Sequence, residues 1–261
     1  MLRISPIRVL VGVLVGLYLS LHPAAAGAAK LILALGDDSY IPSNAVQGAE
    51  VKKELGEYEL VEFAVVILSN VSYGGLPAAV QGGLSEYLGR GGSLLITGGP
   101  NAYGSGGYRA MADILPFEIR AEQDWRAAPF KPVIPLQPGH PILEGVTFRT
   151  VGTFNDLNPK SGAVEIAQYA GGGLGRGIGG GPGGAVLGGG TYQSPMIAER
   201  RVGQGTVVGV AFDLGQEARS GWADGSRFVR NLLTYLLALS PLEPKPREKE
   251  EKERGGEERR R

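Results

Sequence analysis

Short runs of consecutive apolar residues alternate along the chain with stretches whose apolar positions recur at helical spacing, and this alternation sets the predicted order of elements. Residues 31–35 and 63–68 are almost unbroken apolar runs and Ser93–Thr97 is a shorter one. Each is too short for a helix and carries the residue types of strands covered on both faces. Between them, residues 43–55 place Ala45, Val46, Ala49, Val51 and Leu55 at helical spacing, with Lys52 and Lys53 near the end and Gly56 as a stop. Residues 76–88 repeat the pattern with Leu76, Val80, Leu84, Tyr87 and Leu88, closed by Gly89. Residues 58–62 alternate as an edge strand does. Strand, helix, strand, helix, strand at this pitch predicts an α/β domain with a doubly wound, mostly parallel sheet.

Regularity weakens after Tyr108. Residues 111–115 read as a short helix, and residues 118–150 carry Pro129, Pro132, Pro135, Pro138 and Pro141, which suit irregular or edge-strand structure. Residues 163–169 form another candidate strand. Residues 171–190 are mostly Gly with hardly a side chain to pack, and they lack the Lys-Ser/Thr pair of a phosphate-binding loop, so a flexible insertion is expected. Order returns in residues 196–202 and 206–212, a predicted hairpin turning at Gly203-Gln204-Gly205. An amphipathic helix over residues 223–239 presents Phe228, Leu232, Leu233, Tyr235, Leu236 and Leu239 to the core before Pro241 stops it.

The two ends change the picture. Arg3 and Arg8 precede an apolar stretch, residues 9–21, which runs into small-residue processing sites at Ala24-Ala25-Ala26 and Ala26-Gly27-Ala28. That is the layout of a secretory signal peptide, and residues 9–29 taken whole just reach the length of a membrane anchor. Export follows in either case, to an extracytoplasmic, secreted or membrane-anchored location. The predicted organisation is a signal or anchor at 1–29, a domain at 30–240, and a disordered charged tail at 241–261. Among 261 residues there is no Cys, which excludes disulfides, thiol catalysis and thiolate metal sites. Net formal charge is +0 and no basic stripe is interleaved with aromatics, which argues against a nucleic-acid partner. The membrane is expected as a partner only through the N-terminal segment.

Candidate chemistry gathers at the predicted strand exits: Asp37, Asp38, Asn70, Gly98, Gly99, Asn101, Tyr103, Ser105 and Asp213. Together they would line a polar cleft for a ligand. Each also has a plain structural role open to it. Asn101 after Pro100 is common turn chemistry, and adjacent acids such as Asp37 and Asp38 cap loops or helices. Ser105 has no His in its loop, His140 stands before Pro141 where a helical turn would begin, and Trp222 either closes the cleft or covers the core.

The segments GSLLITGGPNAYGSGGY, the preceding VVILSNVSY, the GHPIL segment and the closing RRVGQGTVVGVAFDLG, followed by GW and an apolar helix, resemble in that order a known family. It is that of the class I glutamine amidotransferase-like domains of the uncharacterised, envelope-associated kind, sometimes found beside von Willebrand type A modules. The resemblance covers residues 30–240 and is most specific over residues 98–108. It implies a flavodoxin-like sheet with strand order near 2-1-3-4-5. Catalytic members of the superfamily place a Cys on the sharp turn after the central strand and a His with a carboxylate after a later one. This chain has Gly98 at the first place and Asp213-Leu214-Gly215 at the second. The resemblance therefore implies a domain without glutaminase activity, cofactor or catalytic residues, which binds a small ligand or an envelope partner of von Willebrand or ATPase-associated type. Two other readings stay open: a hydrolase or metal-dependent enzyme using Asp37, Asp38, Ser105 and Asp213, and a purely structural protein-interaction domain.

Overall fold

A computed structural model describes residues 29–42, 46–127, 132–169 and 194–245. Residues 1–28, the Gly-rich run at 171–190 and the tail beyond residue 245 lie outside the described residues. The described chain is an α/β domain around an eight-stranded mixed sheet in the order β2-β1-β3-β4-β12-β11-β10-β7. Its parallel half consists of β2 (Ala49–Lys52), β1 (Lys30–Gly36), β3 (Phe63–Ser69), β4 (Ser93–Thr97) and β12 (Gly205–Val210). β3, β4 and β12 are buried from end to end, which is why their sequences are continuous apolar runs rather than alternating ones.

The antiparallel half adds β11 (Pro195–Val202), hairpinned to β12, then β10 (Val164–Tyr169) and β7 (Val133–Pro135). Two small ribbons stand beside it, pairing β5 (Phe117–Ile119) with β9 (Leu157–Pro159) and β6 (Trp125–Ala127) with β8 (Thr153–Asn155). The proline-rich stretch is thus built from three-residue strands, as far as its missing N–H donors allow.

Three α-helices occur among the described residues: α1 (Ala78–Gly89), α2 (Leu214–Arg219) and α3 (Gly225–Leu239). α3 buries Phe228, Leu232, Leu233 and Leu236, and the Ser93 hydroxyl reaches from β4 to the Leu236 carbonyl at 2.9 Å. Among the described residues no helix is long and apolar enough to cross a membrane.

Four expectations need correction. The helix predicted over 43–55 is not there: its described part is a turn followed by β2, whose parallel pairing with β1 outweighs a helical spacing too weakly apolar to cover the sheet. The edge strand expected at 58–62 gives way to a 3₁₀ turn at Leu60–Glu62, since β2 already occupies that edge. The helix expected at 111–115 is a 3₁₀ turn at Tyr108–Met111. Residues 241–245 do not detach as tail: Leu242 packs on the core and the Lys245 ammonium meets Glu59 at 2.8 Å.

Candidate functional site

The parallel strands run outward in two directions from the β1/β3 boundary, with β2 beyond β1 and β4 and β12 beyond β3. Chains leaving β1 and β3 part there, and ligands of open α/β sheets bind in the crevice that this parting leaves. The residues at that boundary are Asp37, directly after β1, and Asn70, directly after β3. Asn70 adopts φ 46°, in the left-handed region that Asn tolerates better than most residues.

Asn70 ties three strand exits together. Its Nδ2 donates to Asp213 Oδ2 at 3.2 Å, after β12, and its Oδ1 accepts the Asn101 N–H at 2.9 Å, after β4. Asp213 is 4% exposed and caps α2, its Oδ1 accepting the Gln216 N–H at 3.0 Å. Burial pushes the Asp213 carboxyl above its ordinary range, and nearby Asp37 adds to this, while the Gln216 and Gly215 N–H groups and Arg219 oppose it. At Asp37 burial also works upward, but hydrogen bonds from Ser39 and Arg219 outweigh it and hold that carboxyl below its ordinary range. Arg219 reaches back from α2 to Asp37 Oδ2 at 2.9 Å and to the Ser39 hydroxyl at 3.0 Å. Beneath them Ser69 and Thr97 share a hydroxyl–hydroxyl hydrogen bond of 2.9 Å, and the buried Tyr40 hydroxyl lies beside them without a hydrogen bond of ordinary geometry. Burial raises the Tyr40 phenol far above its usual range.

The turn after β4 is filled. A Cβ on Gly98 would come within 2.8 Å of Asn155 Oδ1 and closer still to the Ala211 carbonyl. One on Gly99, at φ 145°, would come within 2.8 Å of Asn70 Cβ and overlap its amide. Asn155, from β8, accepts the Gly99 N–H at 2.9 Å and donates to the Gly99 carbonyl at 3.2 Å. The loop beyond is closed by Asp124, which is 1% exposed. It accepts the Gly104 N–H at 2.9 Å, the Ser105 N–H at 3.1 Å, the Ser105 hydroxyl at 3.0 Å and Asn155 Nδ2 at 2.9 Å.

The structure therefore brings Asp37, Asn70, the Asn101 backbone and Asp213 together and sorts the other candidates elsewhere. Tyr103 does not line a cleft: its ring is fully buried and its hydroxyl donates to the carbonyls of Ile96 and Val210. Ser105 belongs to the Asp124 clasp, and Gly98 and Gly99 are packed under amides. Asp38 turns away from Asp37 to a separate pocket of 430 Å³ at the β1/β2 edge, where it pairs with Lys53 at 2.8 Å. Ile32, Ile41, Val46 and Val51 line that pocket. His140 caps the 3₁₀ turn Pro141–Leu143, its Nδ1 accepting from the Ile142 N–H at 3.4 Å, and sits 3.7 Å from Glu199. Trp222 is core, stacked on Phe148 with its indole N–H on the Thr147 carbonyl.

Sequence reasoning missed Arg219, Asp124 and Asn155. Arg219 follows from Asp213 as N-cap of a short helix, a signal present in Asp-Leu-Gly-Gln-Glu; the other two carry no local signal. Among the described residues no group of three or more His, Cys, Asp or Glu side chains is placed to hold a metal ion.

This is the fold of the class I glutamine amidotransferase-like proteins, a flavodoxin-like α/β arrangement. Two cytoplasmic proteins of Salmonella typhimurium match at TM-score 0.58 with 13% and 14% identity, covering 81% and 79% of this chain and 99% of each of theirs. A protein described as ThuA-like from Bacteroides uniformis matches at TM-score 0.55 and 13% identity, over 85% of this chain and 97% of that one. No protein-family model and no curated protein matches the sequence.

Proposed function

We propose that this chain is a non-catalytic, amidotransferase-like binding or assembly module of the cell envelope, exported through its N-terminal segment. Its sheet is read as doubly wound, and its ligand or partner as meeting the crevice of Asp37, Asn70, Asp213 and Arg219. The observation that carries the reading is the filled turn after β4: the Asn70 and Asn155 amides occupy the space a nucleophile's side chain would need. Two further facts support it. The chain has no Cys, and the exit of β12 carries a helix-capping Asp213 where a catalytic member has its His. Glutamine incubated with the purified protein should release no ammonia above a buffer blank. Release that heating the protein abolishes overturns the proposal.

A second reading is favoured by one observation, the opposite displacement of the Asp213 and Asp37 carboxyls, which is how an acid and a base are poised side by side. Turnover of a chromogenic ester, phosphate or glycoside that disappears in Asp213→Asn would select an enzyme of that kind.

A further inference from the structure

The pocket at the β1/β2 edge is separate from the crevice because Asp37 and Asp38 leave β1 towards different partners. Asp37 bonds to Arg219 of α2, whereas Asp38 pairs with Lys53, directly after β2. Ile32 and Val51, opposite each other in the parallel register, supply the sheet side of the pocket, and Ile41, Pro42 and Val46 supply the other side from the chain that crosses from β1 to β2. Ile32 is 1% exposed, whereas Val51, at 37%, is among the few large apolar side chains that the described residues leave open to solvent. The cavity of 430 Å³ lies in the size range of small-molecule sites, about 300–1,000 Å³, and an apolar lining with a few polar groups is their usual make-up.

The polar groups settle which ligand chemistry is complementary. Asp38 and Lys53 stand 2.8 Å apart in the lining, and the Lys53 side chain is 76% exposed. Glu50, the third charged residue there, is already held by Lys52 at 2.6 Å. An exposed ion pair adds little to the stability of the fold, so its two members exchange partners at little cost. A simple anion would gain Lys53 and be repelled by Asp38, and a simple cation the reverse. A molecule that carries an ammonium and a carboxylate on one carbon satisfies both. We propose that this pocket binds a free α-amino acid with a branched or aromatic apolar side chain. Its ammonium pairs with Asp38, its carboxylate with Lys53, and its side chain lies on Ile32, Ile41, Val46 and Val51.

Isothermal titration calorimetry of the full-length chain, with L-leucine as the probe, tests this. Leucine should bind at a single site. Isocaproate, which lacks the ammonium, isoamylamine, which lacks the carboxylate, and glycine, which lacks the side chain, should each bind at least about tenfold more weakly. Asp38→Asn and Lys53→Gln should each weaken leucine binding about tenfold without moving Tm, and Val51→Trp, which fills the pocket from an exposed strand position, should abolish it. Isocaproate or isoamylamine binding as tightly as leucine overturns the zwitterion, and the absence of saturable heat with both L-leucine and L-phenylalanine overturns the site. The ligand series is read on the wild-type protein, so a variant that fails to fold does not decide the outcome. None of these residues belongs to the crevice, so failure here leaves the function proposed above standing.

Discussion

The turn after β4 and the crevice at the exit of β1 are neighbours joined by one residue, Asn70, yet they are built in opposite ways. The turn is closely packed: two glycines lie beneath amides, and the buried Asp124 carboxylate takes four donors from the loop and from Asn155. In the crevice Asp213 is buried and bonded, but the pair of Asp37 and Arg219 is held more loosely. The Arg219 side chain is 59% exposed and its partner Asp37 is 24% exposed. A region saturated with its own hydrogen bonds has nothing left to offer a ligand, whereas an exposed ion pair exchanges partners at little cost. The glycine-rich loop that drew attention in the sequence is packed on itself, and the more exposed charged pair lies one strand away.

The strongest way to break this contrast is at Gly99. A valine there must adopt φ near 145° and displace the Asn70 amide, which costs about 3 kcal/mol or more and lowers Tm by roughly 10 °C in a domain of this size. Gly98→Val, which meets the Ala211 carbonyl, should be comparably damaging. A thermal melt of either variant that overlays wild type would show the turn to be soft and the comparison mistaken.

Next in size is Asp124. Replacement by Ala strands four donors in a buried site and should cost about 3 kcal/mol, whereas Asp124→Asn keeps an acceptor and should cost about half as much, read from urea midpoints. Ser105→Ala removes one of those donors together with its hydroxyl and should cost about 1 kcal/mol. An Asp124→Ala protein as stable as wild type would place the organisation of the loop elsewhere.

These same residues show how far the sequence could be read. The parallel half of the sheet was legible because β1, β3, β4 and β12 are covered on both faces, and complete burial writes itself as an unbroken apolar run. The closing helix was legible for a different reason, the helical spacing of Phe228, Leu232, Leu233 and Leu236 on one buried face. Residues 43–55 were not, because a weakly apolar stretch at a sheet edge satisfies helical spacing by chance and is decided by pairing with β1, 19 residues away in register (Ala49 opposite Lys30). At the site, the strand exits named Asp37, Asn70 and Asp213, since topology alone brings them together. Asp124 and Asn155 act across 20 and 56 residues of sequence, through ribbons too short to leave a pattern, so no local signal could have named them.

The pH dependence of stability separates the two carboxyls of the crevice. Asp213 has its folded pKa raised, so its stabilising contribution is present at low pH and is lost as pH rises through the folded value. Asp37 has its folded pKa lowered, so its contribution is present above the unfolded value and is lost as pH falls through the folded one. Stability of wild type relative to Asp213→Asn should therefore increase as pH is lowered from 7 towards 4, and relative to Asp37→Asn it should decrease below the ordinary carboxyl range. Urea titrations across that range check both signs, and parallel profiles would remove the distinction between the two acids.

The smallest effect is expected at Arg219, and its smallness is the point. The guanidinium bridges Asp37 and Ser39 from a helix of six residues, but most of it stays in water, where an ion pair contributes little. Ser39 keeps its backbone bond to Asp37 Oδ1 at 3.0 Å when the arginine is gone, so the loop does not depend on it. Arg219→Ala should leave the urea midpoint close to that of wild type, and the Asp37 pKa should move upward towards its ordinary value. A loss of stability as large as that of Asp124→Ala would make Arg219 a clamp of the same kind as Asp124, and the exit of β1 would then be scaffold as fully as the turn beside it.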